Sequence, residues 1–155
     1  MCRKTWAIDR ATTNEAARIA GAKPAMTRTI RQNVTIAAAP ARVYAALIEE
    51  GRHAKFTGDK AKISRKAGGA VSCYGGYITG FNLELVPSRR IVQAWRARDW
   101  PAGTFSIVTF ALSRGPRGAT RLSFTQTGVP ASDFRDKSEG WRSHYWRPLR
   151  AYLEK

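Results

Sequence analysis

Side chains that commonly perform acid–base, nucleophilic or metal chemistry are few in this sequence of 155 residues, and none has the spacing that such chemistry needs. The two histidines, His53 and His144, form neither the HxxxH nor the HExxH pattern of a zinc site. The two cysteines, Cys2 and Cys73, form no CxxC pattern and no combined pattern with histidine. The GxSxG and cysteine–histidine signatures of nucleophilic enzymes are absent from the sequence as well. We therefore expect no catalytic group, no metal site and no cofactor, which favours a protein that is not an enzyme.

The remaining polar candidates have structural interpretations beside the chemical ones. Asp99 precedes Trp100 in a predicted hairpin loop, where an aspartate either stabilises a turn or lines the mouth of a cavity. Glu84 is predicted to face arginines of the next strand, which makes it a cross-strand partner rather than a catalytic acid. For both histidines a structural role and a functional role stay open.

Aromatic side chains are the more informative set, because they supply bulk both for a core and for the wall of an apolar pocket. Two interpretations stay open. Either the rings pack against one another, or some of them line a cavity in which a Tyr hydroxyl or a Trp N–H binds part of a ligand. The residues predicted to line such a cavity are Phe56, Tyr74, Tyr77, Phe81, Trp95, Phe105, Phe110, Phe124, Trp141 and Tyr145.

The elements that must position these rings are mainly short strands bounded by Gly or Pro. Alternation of apolar and polar residues over 30–36 predicts the first strand. Six more follow with no helix between them, so consecutive strands should pair as antiparallel hairpins. They are predicted at Lys60–Arg65, Ala70–Gly75, Tyr77–Val86, Arg90–Arg98, Thr104–Ser113 and Thr120–Thr127. Within 77–86, the alternation places Tyr77, Thr79, Phe81, Leu83 and Leu85 on the apolar face, with Asn82 and Glu84 opposite.

Helices are predicted on either side of this run of strands. Pro40 suits the first position of a helix, and a second short helical turn is predicted over 53–56, before Gly58. A C-terminal helix is predicted with Ser138 as its N-cap and one buried side formed by Trp141, Tyr145, Leu149, Tyr152 and Leu153. Pro148 removes one internal hydrogen bond and is predicted to kink that helix near Tyr145.

The apolar side of the helix and the apolar face of the sheet must cover each other. A sheet of about seven strands twists and curls, so it should wrap around the helix and leave room for a small-molecule cavity between them. The sequence therefore predicts an α+β fold: a curved antiparallel sheet around a long C-terminal helix, with two short helices after strand one.

Composition and charge limit the classes of protein. With 43% hydrophobic and 25% charged residues, the chain should form one globular domain over 29–155, preceded by a flexible tail over 1–28. The formal charge of +16 favours an acidic protein as partner, while nucleic acid is the less favoured choice because the basic residues are spread along the chain. The sequence has no membrane-length apolar run and few cysteines, so we expect no membrane span and a cytoplasmic location.

A set of ordered motifs resembles the START-like superfamily, also called SRPBCC or helix-grip, and within it the Aha-type branch. That branch takes its name from activators of the heat-shock chaperone ATPase. The motifs span about 29–155 and read Ile36-x-Ala38-x-Pro40-x-x-Val43-Tyr44-x-Ala46-Leu47, His53-Ala54-x-Phe56-Thr57-Gly58, Gly76-Tyr77-Ile78-x-Gly80-x-Asn82-Leu83-Glu84-Leu85-Val86-Pro87, Ile91-Val92-Gln93-x-Trp95-Arg96, Thr120-Arg121-Leu122 and Gly140-Trp141.

The resemblance implies the helix-grip fold and three functions. The first is binding of a small hydrophobic or aromatic ligand between the sheet and the C-terminal helix, without catalysis. The second is a protein-interaction module in stress response, associated with a chaperone as in an Aha-type co-chaperone. The third is a cyclase- or dehydratase-like enzyme, which would need an ionisable group inside the cavity.

Overall fold

The computed structural model describes residues 26–155, so Cys2 and most of the predicted tail lie outside the described residues. The predicted architecture is confirmed: seven strands form one antiparallel sheet in the order β1-β7-β6-β5-β4-β3-β2. The strands are β1 Thr27–Ile36, β2 Lys62–Ile63, β3 Ala70–Cys73, β4 Ile78–Val86, β5 Arg90–Ala97, β6 Ser106–Arg114 and β7 Thr120–Pro130.

Two short helices follow β1, as predicted. Helix α1 covers Pro40–Ile48, with Pro40 in its first turn, where the missing proline N–H has no helical partner to lose. Helix α2 covers Glu50–Thr57 and ends at Gly58, whose φ of 74° is a left-handed conformation that glycine adopts without strain. The buried side chains of α1, with His53 and Phe56 of α2, complete the core beside the C-terminal helix.

The C-terminal helix, α3, consists of three consecutive segments: Phe134–Gly140, a π-helical turn over Trp141–Trp146, and Arg147–Leu153. The prediction that Ser138 caps this helix is wrong. A 3₁₀ turn over Ala131–Asp133 starts the helix earlier, so Ser138 lies inside it, where its carbonyl and hydroxyl oxygens accept hydrogen bonds from Gln32.

Pro148 changes α3 at the place that the sequence indicated. The change takes the form of a π turn, in which the Arg147 N–H bonds to the Arg142 carbonyl. Proline has no N–H for the carbonyl four residues earlier, which is that of His144. The Tyr74 hydroxyl donates to this His144 carbonyl at 2.9 Å. A side chain from the sheet side thereby satisfies the acceptor that Pro148 cannot serve.

Strand β4 carries a β-bulge between Asn82 and Glu84, which corrects the predicted faces of this strand. Because a bulge inserts one extra residue, the alternation of faces changes at Leu83. Asn82 therefore points inward and is fully buried, while Phe81 and Leu83 are exposed on the outer face. Glu84 also faces outward and forms an ion pair with Arg90 at 3.7 Å. That pair confirms the predicted cross-strand role of Glu84.

No helix within 26–155 is long and apolar enough to cross a membrane.

Candidate functional site

A cleft of about 510 Å³ lies between the concave face of the sheet and α3. Apolar pockets of this size are typical of sites for small ligands. Its aromatic walls come from the sheet side and from the helix, and polar groups concentrate near its opening. The lining residues are Asp59, Tyr74, Tyr77, Ile78, Trp95, Ala97, Trp100, Gln126, Asp136, Lys137, Glu139, Gly140, Trp141, Ser143, His144 and Tyr145.

Stacked aromatic rings form the inner wall of the cleft. Trp95 of β5 stacks on Trp141 of α3, with ring centroids 5.0 Å apart. Trp141 also meets Tyr145 edge to face at 4.7 Å and Phe124 at 4.2 Å. Contacts of this kind add to the stabilisation from burial alone, so we expect the wall to be rigid before any ligand binds.

Each buried tryptophan of this wall donates its indole N–H to a glutamine from the sheet. Trp141 donates to Gln126 at 2.7 Å, and Trp95 donates to Gln93 at 2.8 Å. Gln126 in turn donates to the Ser106 hydroxyl at 2.9 Å. A buried N–H without a partner would be costly, and each pairing also fixes the rotation of the ring. The walls are therefore both apolar and oriented.

The mouth of the cleft is closed on one side by a charged cluster. Lys137 of α3 donates to the Tyr77 hydroxyl at 2.9 Å and lies 3.1 Å from the Asp133 carboxylate. Trp100 donates to the same carboxylate at 2.7 Å, and Tyr77 donates to Asp99 at 3.0 Å. Burial lowers the pKa of Lys137, but the hydrogen bonds to Tyr77 and Asp133 outweigh it and raise that pKa overall. Lys137 is therefore a fixed cation that ties α3 to Tyr77, the residue before β4.

A buried polar group lies behind the aromatic wall. His53 Nε2 is 2.8 Å from the Tyr145 hydroxyl oxygen, and Cys73 Sγ is 3.8 Å from the same nitrogen. His53 Nδ1 has no hydrogen-bond partner among the described residues. Burial lowers the pKa of His53 to about 4 and raises that of Cys73 to about 12. Both groups are therefore neutral near pH 7, as a buried site requires.

The ten aromatic residues predicted to line a cavity occupy three different places. Five of them line the cleft: Tyr74, Tyr77, Trp95, Trp141 and Tyr145. Three others, Phe56, Phe110 and Phe124, are buried in the core behind the wall.

The prediction is wrong for Phe81 and Phe105, which are exposed and lie away from the cleft. The bulge in β4 turns Phe81 outward. Phe105 stands one residue before Ser106, which is fully buried. Alternation along the strand therefore places Phe105 on the outer face.

Several residues of the cleft were not predicted from the sequence. Gln126 was detectable, because it lies two residues after Phe124 and so shares the inward face of β7. Lys137 was also detectable, since it precedes Trp141 by four residues on one helix and so lies on the same side. Trp100 belongs to the loop after β5, and no periodic pattern indicates which way a loop residue points.

The two polar candidates at the cleft have different positions. His144 lines the cleft and is exposed, while Asp99 accepts the hydrogen bond from Tyr77 at the mouth. That hydrogen bond is the largest of the effects that lower the pKa of Asp99. Among residues 26–155, no group of three or more His, Cys, Asp or Glu side chains has the arrangement of a metal site.

Comparison with known proteins gives one family match that covers most of the chain. The family model described as "Activator of Hsp90 ATPase homolog 1-like protein" matches residues 37–154. This range contains α1, α2, all strands from β2 to β7 and α3, so it includes every residue that lines the cleft.

Individual relatives and solved structures resemble the chain over most of its length. An activator of 90 kDa heat shock protein ATPase homolog from Dictyostelium discoideum is 32% identical over 120 residues, which is 77% of this chain and 31% of that protein. The chain thus spans about a third of this curated relative. A crystal structure of an HSP90 activator from Plasmodium falciparum has a TM-score of 0.77 at 22% identity and covers 81% of this chain and 96% of its own. A structure from Chromobacterium violaceum has a TM-score of 0.69 at 30% identity, covering 82% and 98%.

Proposed function

The chain belongs to the family of Activator of Hsp90 ATPase homolog 1-like proteins, and we propose that it binds a small apolar or aromatic molecule in the cleft between its sheet and α3. The observation that carries this proposal is the cleft itself, about 510 Å³ with walls formed by Trp95, Trp141 and Tyr145. We propose binding without catalysis.

The chemistry of the lining supports an aromatic ligand with a polar end. Deep in the cleft, the indole N–H groups of Trp95 and Trp141 are already paired with glutamines, so the inner wall offers ring surface. Polar groups lie nearer the opening, among them Ser143, His144 and Glu139. A flat apolar molecule would place its rings against the tryptophans and its polar end towards these groups.

Binding rather than catalysis agrees with the state of two ionisable groups beside the cleft, His53 and Lys137. His53 lies behind Tyr145 and is neutral because burial lowers its pKa. Lys137 is held by Tyr77 and Asp133 and stays charged. General acid–base catalysis needs a group that exchanges a proton near the working pH, and neither of these groups has that property.

A cleft-filling substitution tests the ligand proposal. The uncharged fluorescent probe N-phenyl-1-naphthylamine should bind the wild-type chain saturably, with a rise in emission as the probe leaves water. Ser143→Trp should reduce this binding by about tenfold or more, because Ser143 lines the cleft and an indole there would occupy the ligand volume. Fluorescence titration gives the dissociation constant.

The control is the adjacent position on the same helix. Arg142→Trp adds the same indole to a side chain that is 58% exposed and does not line the cleft. It should leave probe binding unchanged. Wild-type protein that does not bind the probe saturably, or equal losses in the two variants, would contradict the proposal.

A second candidate function is association with a chaperone, which the relatives favour. The Dictyostelium relative is named "Activator of 90 kDa heat shock protein ATPase homolog", and the Plasmodium structure is called an HSP90 activator. This chain corresponds to about a third of the first of these proteins. We propose the role for the chain as a partner of such an ATPase, with its charge of +16 favouring an acidic surface on that partner.

The rate of ATP hydrolysis tests this second function. Purified 90 kDa heat-shock ATPase should hydrolyse ATP faster when the chain is added, and the stimulation should weaken as salt screens the charges. Heat-denatured chain at the same concentration serves as the control. An unchanged hydrolysis rate over a wide range of chain concentrations would rule the function out.

A further inference from the structure

The outer face of the sheet, opposite the cleft, carries an unusual cluster of exposed apolar side chains. Among residues 26–155, five large apolar side chains are exposed, and Met26 is the one that lies outside the cluster. The other four are Phe81 at 40%, Leu83 at 43%, Phe105 at 44% and Ile107 at 37%. Contiguous exposed apolar surface on a folded domain commonly marks an interaction site.

Strand register shows that these side chains surround one strip of β5. Phe81 of β4 pairs with Ala94 of β5, and Ala94 pairs with Ile107 of β6. Residues paired across strands share a face, so Phe81 and Ile107 flank Ala94 on the outside. The rings of Phe81 and Phe105 are 6.1 Å apart, and Ala94 is only 3% exposed. The large side chains therefore lean over a small residue and form a shallow apolar surface.

Arginines stand at both ends of this strip. The outer face of β5 reads Arg90, Val92, Ala94 and Arg96 at alternate positions. Glu84 is the one acidic residue within the described strands, and Arg90 already pairs with it. Residues 29–155 contain 21 basic and nine acidic residues, so the domain as a whole is positive as well. Apolar centres with an arginine rim are typical of protein docking surfaces.

We infer that this outer-face patch, formed by Phe81, Leu83, Ala94, Phe105 and Ile107 with Arg90 and Arg96, is a docking surface for an acidic protein segment with apolar side chains along one side. The apolar side chains of the segment would cover the strip. Its carboxylates would meet Arg90, which pairs with Glu84 at 3.7 Å, and Arg96, whose guanidinium donates to the carbonyl oxygens of Ala97 and Trp100. One acidic side chain therefore stands against two arginine charges.

Charge and ring packing favour an acidic segment over three other possible occupants: a second copy of the chain, its residues 1–28 and a nucleic acid strand. A second copy of the chain would bring the same arginines against themselves, and like charges at an interface are unfavourable. The segment 1–28 has six basic and two acidic residues, so it too has the wrong sign. A single nucleic acid strand needs free ring faces for base stacking. Here the rings of Phe81 and Phe105 pack against each other at a tilt of 60°.

A pair of synthetic peptides tests the docking surface on the full chain. Both peptides form an amphipathic helix with leucine on one side, and the other side carries glutamate in the first and lysine in the second. The glutamate peptide should bind and the lysine peptide should not. Phe81→Ser and Ile107→Ser should each weaken the binding of the glutamate peptide by about tenfold, as measured by isothermal titration calorimetry.

Charge variants and a folding check complete the design. Arg90→Gln should weaken binding of the glutamate peptide, whereas Arg147→Gln, on the exposed side of α3, should not. Circular dichroism identifies any variant that fails to fold, and the two apolar variants are independent of each other. Equal binding of both peptides, unchanged binding in Phe81→Ser and Ile107→Ser, or binding of single-stranded DNA in place of the glutamate peptide would overturn the inference. None of these outcomes depends on whether the cleft holds a ligand.

Discussion

Replacing Trp141 with alanine is expected to lower the free energy of unfolding by about 3–5 kcal/mol, the usual range for removing a large buried aromatic side chain. Trp141 is buried at the centre of the aromatic wall and contacts the rings of Trp95, Phe124 and Tyr145. The substitution also leaves the Gln126 oxygen without its indole donor. Because both the cavity and the unpaired oxygen are buried, the losses reinforce each other. Urea unfolding followed by circular dichroism measures the change.

Two further variants separate the loss of the buried ring from the loss of the indole N–H and from the effect of a substitution at an exposed position of α3. Trp141→Phe keeps an aromatic ring but removes the N–H, so it should cost less than the alanine variant while still leaving the Gln126 side-chain oxygen without its donor. Arg142→Ala, the adjacent exposed position, should change stability by no more than about 0.5 kcal/mol. Trp141→Ala should also weaken binding of the naphthylamine probe, because its ring lines the cleft. An alanine variant within about 1 kcal/mol of wild type would show that this wall is not core.

Acidification is expected to destabilise the folded chain through His53. Its pKa falls from the ordinary 6.5 to about 4 on folding, because burial disfavours the imidazolium. The unfolded chain therefore binds more protons between these two values, and folding stability is lost as the pH falls through that window. The full stability contribution is present above about pH 6.5. The shift corresponds to a loss of about 3 kcal/mol once the pH reaches the folded pKa.

Within residues 26–155, no carboxylate forms a hydrogen bond or an ion pair with the His53 ring, and burial is the cause of its lowered pKa. The polar groups near it are Tyr145 and Cys73, whose pKa values burial raises, so both stay neutral in this window. The pKa of Asp99 is lowered by its hydrogen bond from Tyr77, and that of Glu154 by the backbone N–H of Ala37. Their contributions are lost only below their ordinary pKa values of 3.8 and 4.5.

Urea unfolding from about pH 7 to about pH 4.5 therefore isolates the effect of His53. In wild type the free energy of unfolding should fall over this interval. His53→Gln should be less stable at pH 7 but nearly independent of pH. His144→Gln, which changes the other histidine, on the exposed surface of α3, should keep the wild-type slope. A wild-type profile as flat as that of His53→Gln would contradict the assignment.

The order and type of the elements followed from local patterns. Alternation over 30–36, Pro40 at a helix start and glycines between strands predicted a strand, two short helices and a run of hairpins, as the structure has them. Such signals are local, because proline and glycine act through their own backbone angles and alternation reflects one neighbouring layer. Strand ends were less well predicted. The strand expected over 60–65 pairs only at Lys62 and Ile63, because pairing depends on the partner strand.

The sequence by itself determined that a curved sheet would enclose a helix with an aromatic side, and it placed Trp95, Trp141 and Tyr145 at that interface. Only the tertiary structure decided which other rings face the cleft. The bulge in β4 depends on pairing with β5 and moves Phe81 outward, where it joins Phe105 in the outer-face patch. The glutamine partner of Trp141 comes from another element, β7. Hydrophobic periodicity, of two residues in a strand or 3.6 in a helix, predicts which face each side chain occupies. A one-residue bulge moves the following side chains to the opposite face of the strand. Contacts between distant segments exist only once the chain has folded.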